Sequence, residues 1–201
     1  MADMAQIARA VEGGRRKVVD QLVREALAEG VKAETILNEG LVVGMTNLGE
    51  QFKNGEVYVP EVLVAARAMK TGTEILKPLL VAENVQSLGT VAIGTVEGDL
   101  HDIGKNLVGM MLEGSGFTVM DLGVDVKPEM FIDAVRGGAK IIGMSALLTT
   151  TMPMMAKVIE RLKDEGLRDQ VKVMIGGAPI TQEYADEIGA DGYSSDAASA
   201  A

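Results

Sequence analysis

The sequence predicts two domains: an N-terminal four-helix bundle, and an α/β flavodoxin-like (Rossmann-like) domain built on a five-stranded parallel sheet. Three observations predict this fold class. Residues 3–82 carry apolar side chains at helical spacing. From residue 90 onwards, short apolar runs alternate with helical ones, a pattern typical of a parallel sheet covered by helices. Residues 83–89 read as a linker, so we expect domains at 1–85 and 89–201.

The N-terminal domain divides into four amphipathic segments, most of which end at glycine. Short connections between amphipathic helices favour a bundle. The fourth helix opens with Pro60, a residue suited to the first helical turn. The predicted helices cover residues 4–11, 18–27 and 36–52, and the fourth runs from 60 towards 78.

The C-terminal domain contains five predicted strands and four predicted helices in strict alternation. Five strands of this kind suggest the order 2-1-3-4-5, in which a ligand sits above the carboxyl ends of strands one, three and four. The predicted strands are 90–95, 117–121, 140–145, 171–175 and 190–193, and the predicted helices are 104–114, 128–137, 152–165 and 181–188.

Composition narrows the function classes. A net charge of −10 over 201 residues argues against nucleic acid and anionic membranes as partners. The absence of cysteine excludes disulfides, thiol nucleophiles and iron–sulfur clusters held in the usual way. A single histidine excludes a multi-histidine metal site. Without a membrane-length apolar run or a signal-peptide core, the chain is predicted to be cytoplasmic.

A polar loop bounded by Gly98 and Gly104 follows the first predicted strand and holds His101, the only histidine. A neutral imidazole is the commonest nitrogen ligand for a transition metal. A carboxylate on its other nitrogen fixes the tautomer, and Asp99 and Asp102 are both near enough in sequence to do this. The glycines allow a tight turn and the close approach of a bulky ligand. An ordinary loop histidine before a helix is the alternative.

Two more strand ends carry unusual residues. Ser145 and the threonines at 149–151 follow the third strand, and they exceed what capping the next helix requires. Gly176 and Gly177 follow the fourth strand, where they provide either a tight turn or bare backbone beside a flat or long ligand. The sequence therefore predicts a ligand site formed by three neighbouring loops.

These strand ends share three short motifs, in order: Asp99-x-His101-x-x-Gly104, Ser145-x-Leu147 and Gly176-Gly177. The combination resembles the cobalamin-binding signature of methionine synthase and of the corrinoid proteins of methyltransferase systems. Residues 44–52 and 55–62 are similar to the third and fourth helices of that family's cap bundle. The resemblance implies an N-terminal helical cap domain followed by a cobalamin-binding α/β domain.

The resemblance also implies roles for individual residues. His101 would be the lower axial ligand of cobalt, in place of the dimethylbenzimidazole base of the cofactor. Asp99 would hydrogen-bond the other imidazole nitrogen. Thr151 occupies the place of a serine that extends this relay in methionine synthase. We expect no catalytic residue beyond this relay.

Other residues are implied to contact the cofactor. Ser145 and Thr149 would contact the displaced nucleotide tail, and Gly176 and Gly177 would line the slot that holds it. Ala197 matches a position beside the cofactor near the C-terminus. The remaining expected contacts are Gly98, Leu100, Asp102, Ile103, Gly104 and Leu147.

In the helical cap, Tyr58 falls where the family often has phenylalanine. It is a candidate to shield the upper, methyl-bearing face of the corrin, together with Met45 or Val62. The alternative for all three is bundle core, because side chains at helical spacing are usually core.

The function implied is that of a corrinoid methyl carrier, a non-catalytic subunit of a methyltransferase system. It would bind methylcobalamin, cob(I)alamin or a related corrinoid base-off and His-on. It would shuttle a methyl group between a substrate-specific methyltransferase and an acceptor methyltransferase that uses tetrahydrofolate or a thiol. A reductive activase is a further implied partner. Methylamines, methanol, methoxylated aromatics and glycine betaine all remain open as donors.

Two other functions remain open at this stage. A cobalamin-based sensor or regulatory module acting through protein contacts uses a similar cap and cobalamin domain. A flavodoxin-like interaction or flavin-binding domain has the same sheet, but only 3% of this sequence is aromatic, and flavins are usually sandwiched by aromatic side chains.

Overall fold

A computed structural model describes residues 3–82 and 87–201, so most of the predicted linker at 83–89 lies outside the described residues. Two compact units are present. The first holds the N-terminal helices together with Met110–Gly116, and the second holds Leu88–Gly109 and Phe117–Ala201.

The N-terminal helices are α1 (Met4–Glu12), α2 (Arg16–Ala28), α3 (Ala33–Thr35), a π-helical segment (Ile36–Val42), α4 (Val43–Lys53) and α5 (Val59–Ala82). Helix α3, the π-helical segment and α4 follow one another without a break and form a single helical run. The predicted four helices are therefore confirmed over residues 3–82. Helix α5 extends further than predicted. It passes through Pro78, which has no backbone N–H to donate within the helix.

Glycines allow these helices to approach closely. A Cβ added at Gly44 would stand 2.6 Å from the carbonyl oxygen of Ala8, and one added at Gly72 would stand 2.7 Å from Leu41 Cδ1. Backbone therefore packs directly against neighbouring helices at these positions. In the part of the chain that the structure describes, no helix is both long enough and apolar enough to cross a membrane.

The second unit alternates strands and helices: β1 (Thr90–Val96), α6 (Ile103–Gly114), β2 (Thr118–Val126), α7 (Pro128–Arg136), β3 (Ile141–Ser145), α8 (Pro153–Asp164), a 3₁₀ turn (Arg168–Gln170), β4 (Lys172–Gly176), α9 (Gln182–Ile188) and β5 (Gly192–Tyr193). All four strand pairs are parallel, and the order is β2-β1-β3-β4-β5, which confirms the prediction. Strand β1 pairs on both sides and is buried from Val91 to Val96, which explains its continuous apolar run.

Strand β2 continues to Val126, whereas the prediction of 117–121 ended it at Asp121. The polar residue at 121 and the glycine at 123 suggested a turn. Instead the pairing with β1 shifts twice: Ile93 lies opposite Asp121, Gly94 opposite Gly123, and the last pair is Val96 with Val126. Strand β2 thus carries one extra residue in each interval. Such bulges re-aim side chains and are common beside functional sites.

A partly exposed ion-pair network joins the amino ends of β4 and β5. Asp191 accepts the Val173 amide at 2.8 Å and pairs with Arg168 at 2.7 Å and with Lys172 at 3.1 Å. Burial alone raises the pKa of Asp191, but the Val173 amide and the two cations outweigh burial and lower that pKa below its ordinary value of 3.8.

We therefore expect Asp191 to contribute to acid sensitivity. A carboxyl group whose pKa is lower in the folded state stabilises the fold fully above about pH 4 and loses this contribution as the pH falls further. The variant Asp191→Asn should be less stable at neutral pH and show a flatter loss of stability below pH 4. Urea unfolding of both apoproteins across this range measures the difference, and parallel pH curves would contradict it.

Candidate functional site

The carboxyl ends of three adjacent strands meet at one edge of the sheet. Thr95 of β1 lies opposite Ser145 of β3, which in turn lies opposite Gly176 of β4. The loops that follow these strands carry the three motifs singled out in the sequence. Parallel pairing therefore brings the motifs together, as expected for a ligand site at the switch point of an open sheet.

At the centre of this edge, the carboxylate of Asp99 is fully buried and accepts five hydrogen bonds. Its Oδ1 accepts from Nδ1 of His101 at 2.7 Å and from the His101 backbone N–H at 3.1 Å. Its Oδ2 accepts from the backbone N–H groups of Leu147 at 2.8 Å and Leu148 at 3.2 Å. The Thr151 hydroxyl, which lies at 2.8 Å, is the third donor to Oδ2.

These bonds determine the charge of Asp99. Burial alone raises its pKa, but the hydrogen bonds, led by that from His101, hold the pKa well below the usual range. An ionised carboxylate only accepts hydrogen bonds, so the proton shared with the imidazole lies on Nδ1. In the neutral ring, Nε2 then carries a free lone pair on a side chain that is 53% exposed. The arrangement leaves one nitrogen ready to bind a metal ion.

Of the two carboxylates near His101 in sequence, Asp99 is the one that contacts the ring. Asp102 instead lies just before α6 and contacts its first turn: its carbonyl accepts the Asn106 N–H at 2.8 Å and its Oδ2 accepts the Asn106 side-chain amide at 3.0 Å. The loop carbonyl of His101 is held separately, because Thr95 Oγ1 donates to it at 3.0 Å. The histidine is thus fixed through both its ring and its backbone.

The two loops that meet at Asp99, together with the first residue of α6, expose four large apolar side chains. They are Leu100 at 70%, Ile103 at 78%, and Leu147 and Leu148 at 42% each. A Cβ built on Gly104 would meet nothing within 4 Å, so the start of α6 is open. Exposed apolar groups around a nitrogen that is free to bind a metal fit a bulky ligand with an apolar face.

The Gly176–Gly177 pair ends β4 with bare backbone. Gly177 has φ +135°, and a Cβ there would overlap the Ala146 carbonyl. A Cβ on Gly176 would make an ordinary contact, 3.6 Å from the Ser194 carbonyl oxygen. Only glycine fits at 177, whereas 176 has room for a methyl group.

We expect Gly177→Ala to destabilise the apoprotein by at least about 2 kcal/mol, from backbone strain and overlap together. Gly176→Ala is the matched control and should change stability by under about 1 kcal/mol. Chemical unfolding of the two variants and the native chain tests this. Equal stability of the two variants would contradict the steric argument.

The remaining predicted residues lie in varied settings. Thr149 is exposed, and Ser145 is half-buried at the end of β3. Ala197 is buried, with 7% exposure, in the C-terminal segment of the second unit. Within the helical unit, Tyr58 is 68% exposed and Met45 is only 1% exposed. Val62 is fully buried there as well, so Met45 and Val62 occupy the core positions that the sequence left open.

Sequence reasoning missed three residues that support the histidine loop. Thr95 is a polar residue that follows the apolar run of residues 91–94 within β1, which was the available signal, and it is fully buried. Asp125 accepts the Gly98 N–H at 2.7 Å, but it lies in the part of β2 that was predicted to be loop. Lys105 is 3% exposed, an unusual burial for lysine that no sequence pattern indicated.

The fold and the site define a class: an α/β domain that presents one carboxylate-oriented imidazole beside exposed apolar side chains, at the switch point of a parallel sheet. Comparison with known families identifies the family. A model described as "B12 binding domain" matches residues 89–201, and a second model with the same description matches residues 4–77. The chain belongs to the B12-binding family, which confirms the resemblance seen in the sequence and the corrinoid cofactor it implied.

Individual relatives agree with this assignment. Trimethylamine corrinoid protein 1 of Methanosarcina acetivorans is 48% identical over 176 residues, covering 86% of this chain and 82% of the relative. Dimethylamine corrinoid protein 3 of the same organism is 47% identical over 196 residues, covering 97% and 92%. Among solved structures, the methanol:cobalamin methyltransferase complex MtaBC from Methanosarcina barkeri matches with a TM-score of 0.84 and 32% identity, covering 96% of this chain and 74% of that chain. This chain is therefore similar to corrinoid proteins of methyltransferase systems.

Proposed function

We propose that this protein is a methyl carrier that holds cobalamin base-off, with Nε2 of His101 as the lower axial ligand of cobalt. One observation carries the proposal. The buried, ionised carboxylate of Asp99 accepts a hydrogen bond on Oδ1 from Nδ1 of His101 at 2.7 Å, while the imidazole side chain remains 53% exposed. A metal-ligating histidine typically donates its other ring N–H to a carboxylate in this way.

The other residues at the sheet edge fit a corrinoid. Four apolar side chains are exposed on the two loops beside His101 and at the start of α6, as a macrocycle face requires: Leu100, Ile103, Leu147 and Leu148. Gly176 and Gly177 offer backbone without side chains, which suits a slot for the displaced nucleotide tail. These residues would hold the cofactor by apolar contact and close approach, and His101 would hold its metal.

Cobalamin, when bound, supplies a cobalt centre that accepts a methyl group and releases it. The residues of the chain orient the His101 ring and hold it in place. Asp99 keeps the proton on Nδ1, so that Nε2 stays available as a ligand. The Leu147 and Leu148 amides and the Thr151 hydroxyl keep Asp99 ionised and in place. In this arrangement Thr151 acts as the outer member of the relay.

The partners follow from the carrier role. Relatives named for trimethylamine and for dimethylamine are 48% and 47% identical, and the MtaBC complex is named for methanol at 32%. We infer that the donor enzyme is a methyltransferase acting on a methylated amine. An acceptor methyltransferase and a reductive activase complete the proposed system.

The donor class can be tested by methyl transfer. The cobalamin-loaded protein would be reduced to the cob(I)alamin state with a chemical reductant and mixed with recombinant amine and methanol methyltransferases and their substrates, and formation of methylcobalamin would be followed by visible absorbance. Methylation with trimethylamine or dimethylamine, but not with methanol, is the expected result. Methylation by the methanol system alone would overturn the amine assignment and leave the carrier role intact.

The ligation can be tested directly because the chain has one histidine. Protein grown with ¹⁵N-histidine would be loaded with cob(II)alamin and examined by electron paramagnetic resonance. A ¹⁴N axial ligand splits each line into a triplet and a ¹⁵N ligand splits it into a doublet. We expect doublets from labelled protein and triplets from unlabelled protein. Triplets in both samples would mean that the cofactor keeps its own base, and the proposal would fail.

A further inference from the structure

The loop that carries His101 is fixed by a segment of β2 that has no role in the proposed binding of the cofactor. We define this segment, residues 121–125, as the β2 bulge. We propose that Asp125, at its end, is a positioning residue that holds the His101 loop so that the imidazole is aligned for ligation. The inference rests on the proposed ligation by His101.

Two reciprocal hydrogen bonds join Asp125 to the loop. The Gly98 N–H donates to Asp125 Oδ1 at 2.7 Å, and the Asp125 N–H donates to the carbonyl of Asp99 at 3.0 Å. The Asp99 N–H in turn donates to the carbonyl of Val96 at 3.1 Å. The backbone of Asp99 is therefore held on both sides, independently of the five bonds to its carboxylate.

The backbone of Asp125 is itself unusual. Over residues 3–82 and 87–201, it is the one non-glycine residue with a positive φ, at +53°. Aspartate and asparagine tolerate this left-handed conformation better than other residues with a side chain, and a residue held there often serves a functional site. The conformation follows from the extra residue that β2 carries between Gly123 and Val126, opposite Gly94 to Val96 of β1. The bulge thus turns the Asp125 carboxylate towards Gly98.

The other end of the β2 bulge is tied to the helix that follows His101. Lys105, in the first turn of α6, has a side chain that is only 2% exposed, and its Nζ lies 2.5 Å from Asp121 Oδ1. The same oxygen accepts the Gly123 N–H at 2.9 Å. One bulge therefore fixes the histidine loop before His101, through Asp125, and after it, through Lys105.

The test uses the single-histidine resonance assay on ¹⁵N-histidine protein loaded with cob(II)alamin. Asp125→Gly keeps the positive φ and removes the hydrogen-bond acceptor. We expect the ratio of cobalt with a histidine ligand to cobalt without one to fall about tenfold. Asp125→Asn keeps the acceptor and the tolerance of positive φ, and should stay near the native ratio. Asp191→Gly is the matched control: it also removes an aspartate that accepts a neighbouring backbone amide, but at the amino ends of the strands. It should lower stability without changing the doublets.

The outcomes separate the two proposals. Absence of doublets in the native protein would refute ligation by His101 itself. Native doublets that persist unchanged in Asp125→Gly would overturn positioning alone, as would an Asp125→Asn variant that is as impaired as Asp125→Gly. Should Asp125→Gly fail to fold, Lys105→Met provides the second variant, since methionine fills the same buried space and leaves a half-exposed Asp121. For Lys105→Met we expect the ratio of cobalt with a histidine ligand to cobalt without one to be about threefold below the native ratio. An unchanged ratio would overturn the proposal.

Discussion

Replacing Asp99 by Asn should abolish histidine ligation of the cofactor and destabilise the apoprotein by at least about 3 kcal/mol. The carboxylate accepts hydrogen bonds on both oxygens, and the amide of asparagine accepts on only one. With its oxygen towards Leu147, Leu148 and Thr151, its NH₂ group would face two donors, the backbone N–H and Nδ1–H of His101. The ring would relieve this clash by moving its proton to Nε2. That tautomer cannot bind a metal through Nε2.

Asp102→Asn is the matched control for this prediction. It makes the same chemical change three residues along the same loop, but Asp102 Oδ2 accepts only the Asn106 amide, and an asparagine oxygen can do the same. Urea unfolding of the apoproteins and the resonance spectrum of the ¹⁵N-histidine proteins give both readouts. If Asp99→Asn retained histidine doublets, Asp99 would not control the tautomer.

The sheet could be predicted from the sequence because the apolar pattern of its internal strands matches their burial in the fold. Strand β1 is buried on both faces, so its residues form one apolar run, and alternation with helices then defines a parallel order. The loops after β1, β3 and β4 could be predicted together for the same reason. Parallel strands place their carboxyl ends at one edge, whatever the exact element boundaries.

The support for the histidine loop could not be predicted, because it depends on a register shift. Asp121 and Gly123 look like turn residues, and only pairing with β1 extends β2 past them to Val126. Asp125 reaches Gly98, 27 residues earlier in the chain, through that shift. The residue pattern alone also left the choice between Asp99 and Asp102 open, and only the family resemblance pointed to Asp99, because burial and the amides of a distant loop decide between them.

Replacing His101 by Gly should weaken cobalamin binding by more than about 100-fold, because loss of a group that merely orients a metal ligand already weakens binding by up to that amount. Asp99 and its donors from the Leu147 loop remain in this variant, so the site keeps an oriented acceptor. The native side chain is 53% exposed, so free imidazole can enter from solvent. We expect added imidazole to restore both binding and the nitrogen splitting, with doublets when the imidazole carries ¹⁵N.

1-Methylimidazole is the matched probe for this rescue. It can bind a metal through its unsubstituted nitrogen, but its methyl group removes the N–H that would donate to Asp99 Oδ1. Rescue by imidazole and much weaker rescue by 1-methylimidazole would assign the orientation of the ligand to Asp99. Equal rescue by both would mean that the ring needs no partner for its second nitrogen. Native affinity in His101→Gly without any added ligand would mean that the cofactor is held by apolar contacts and by its buried tail alone.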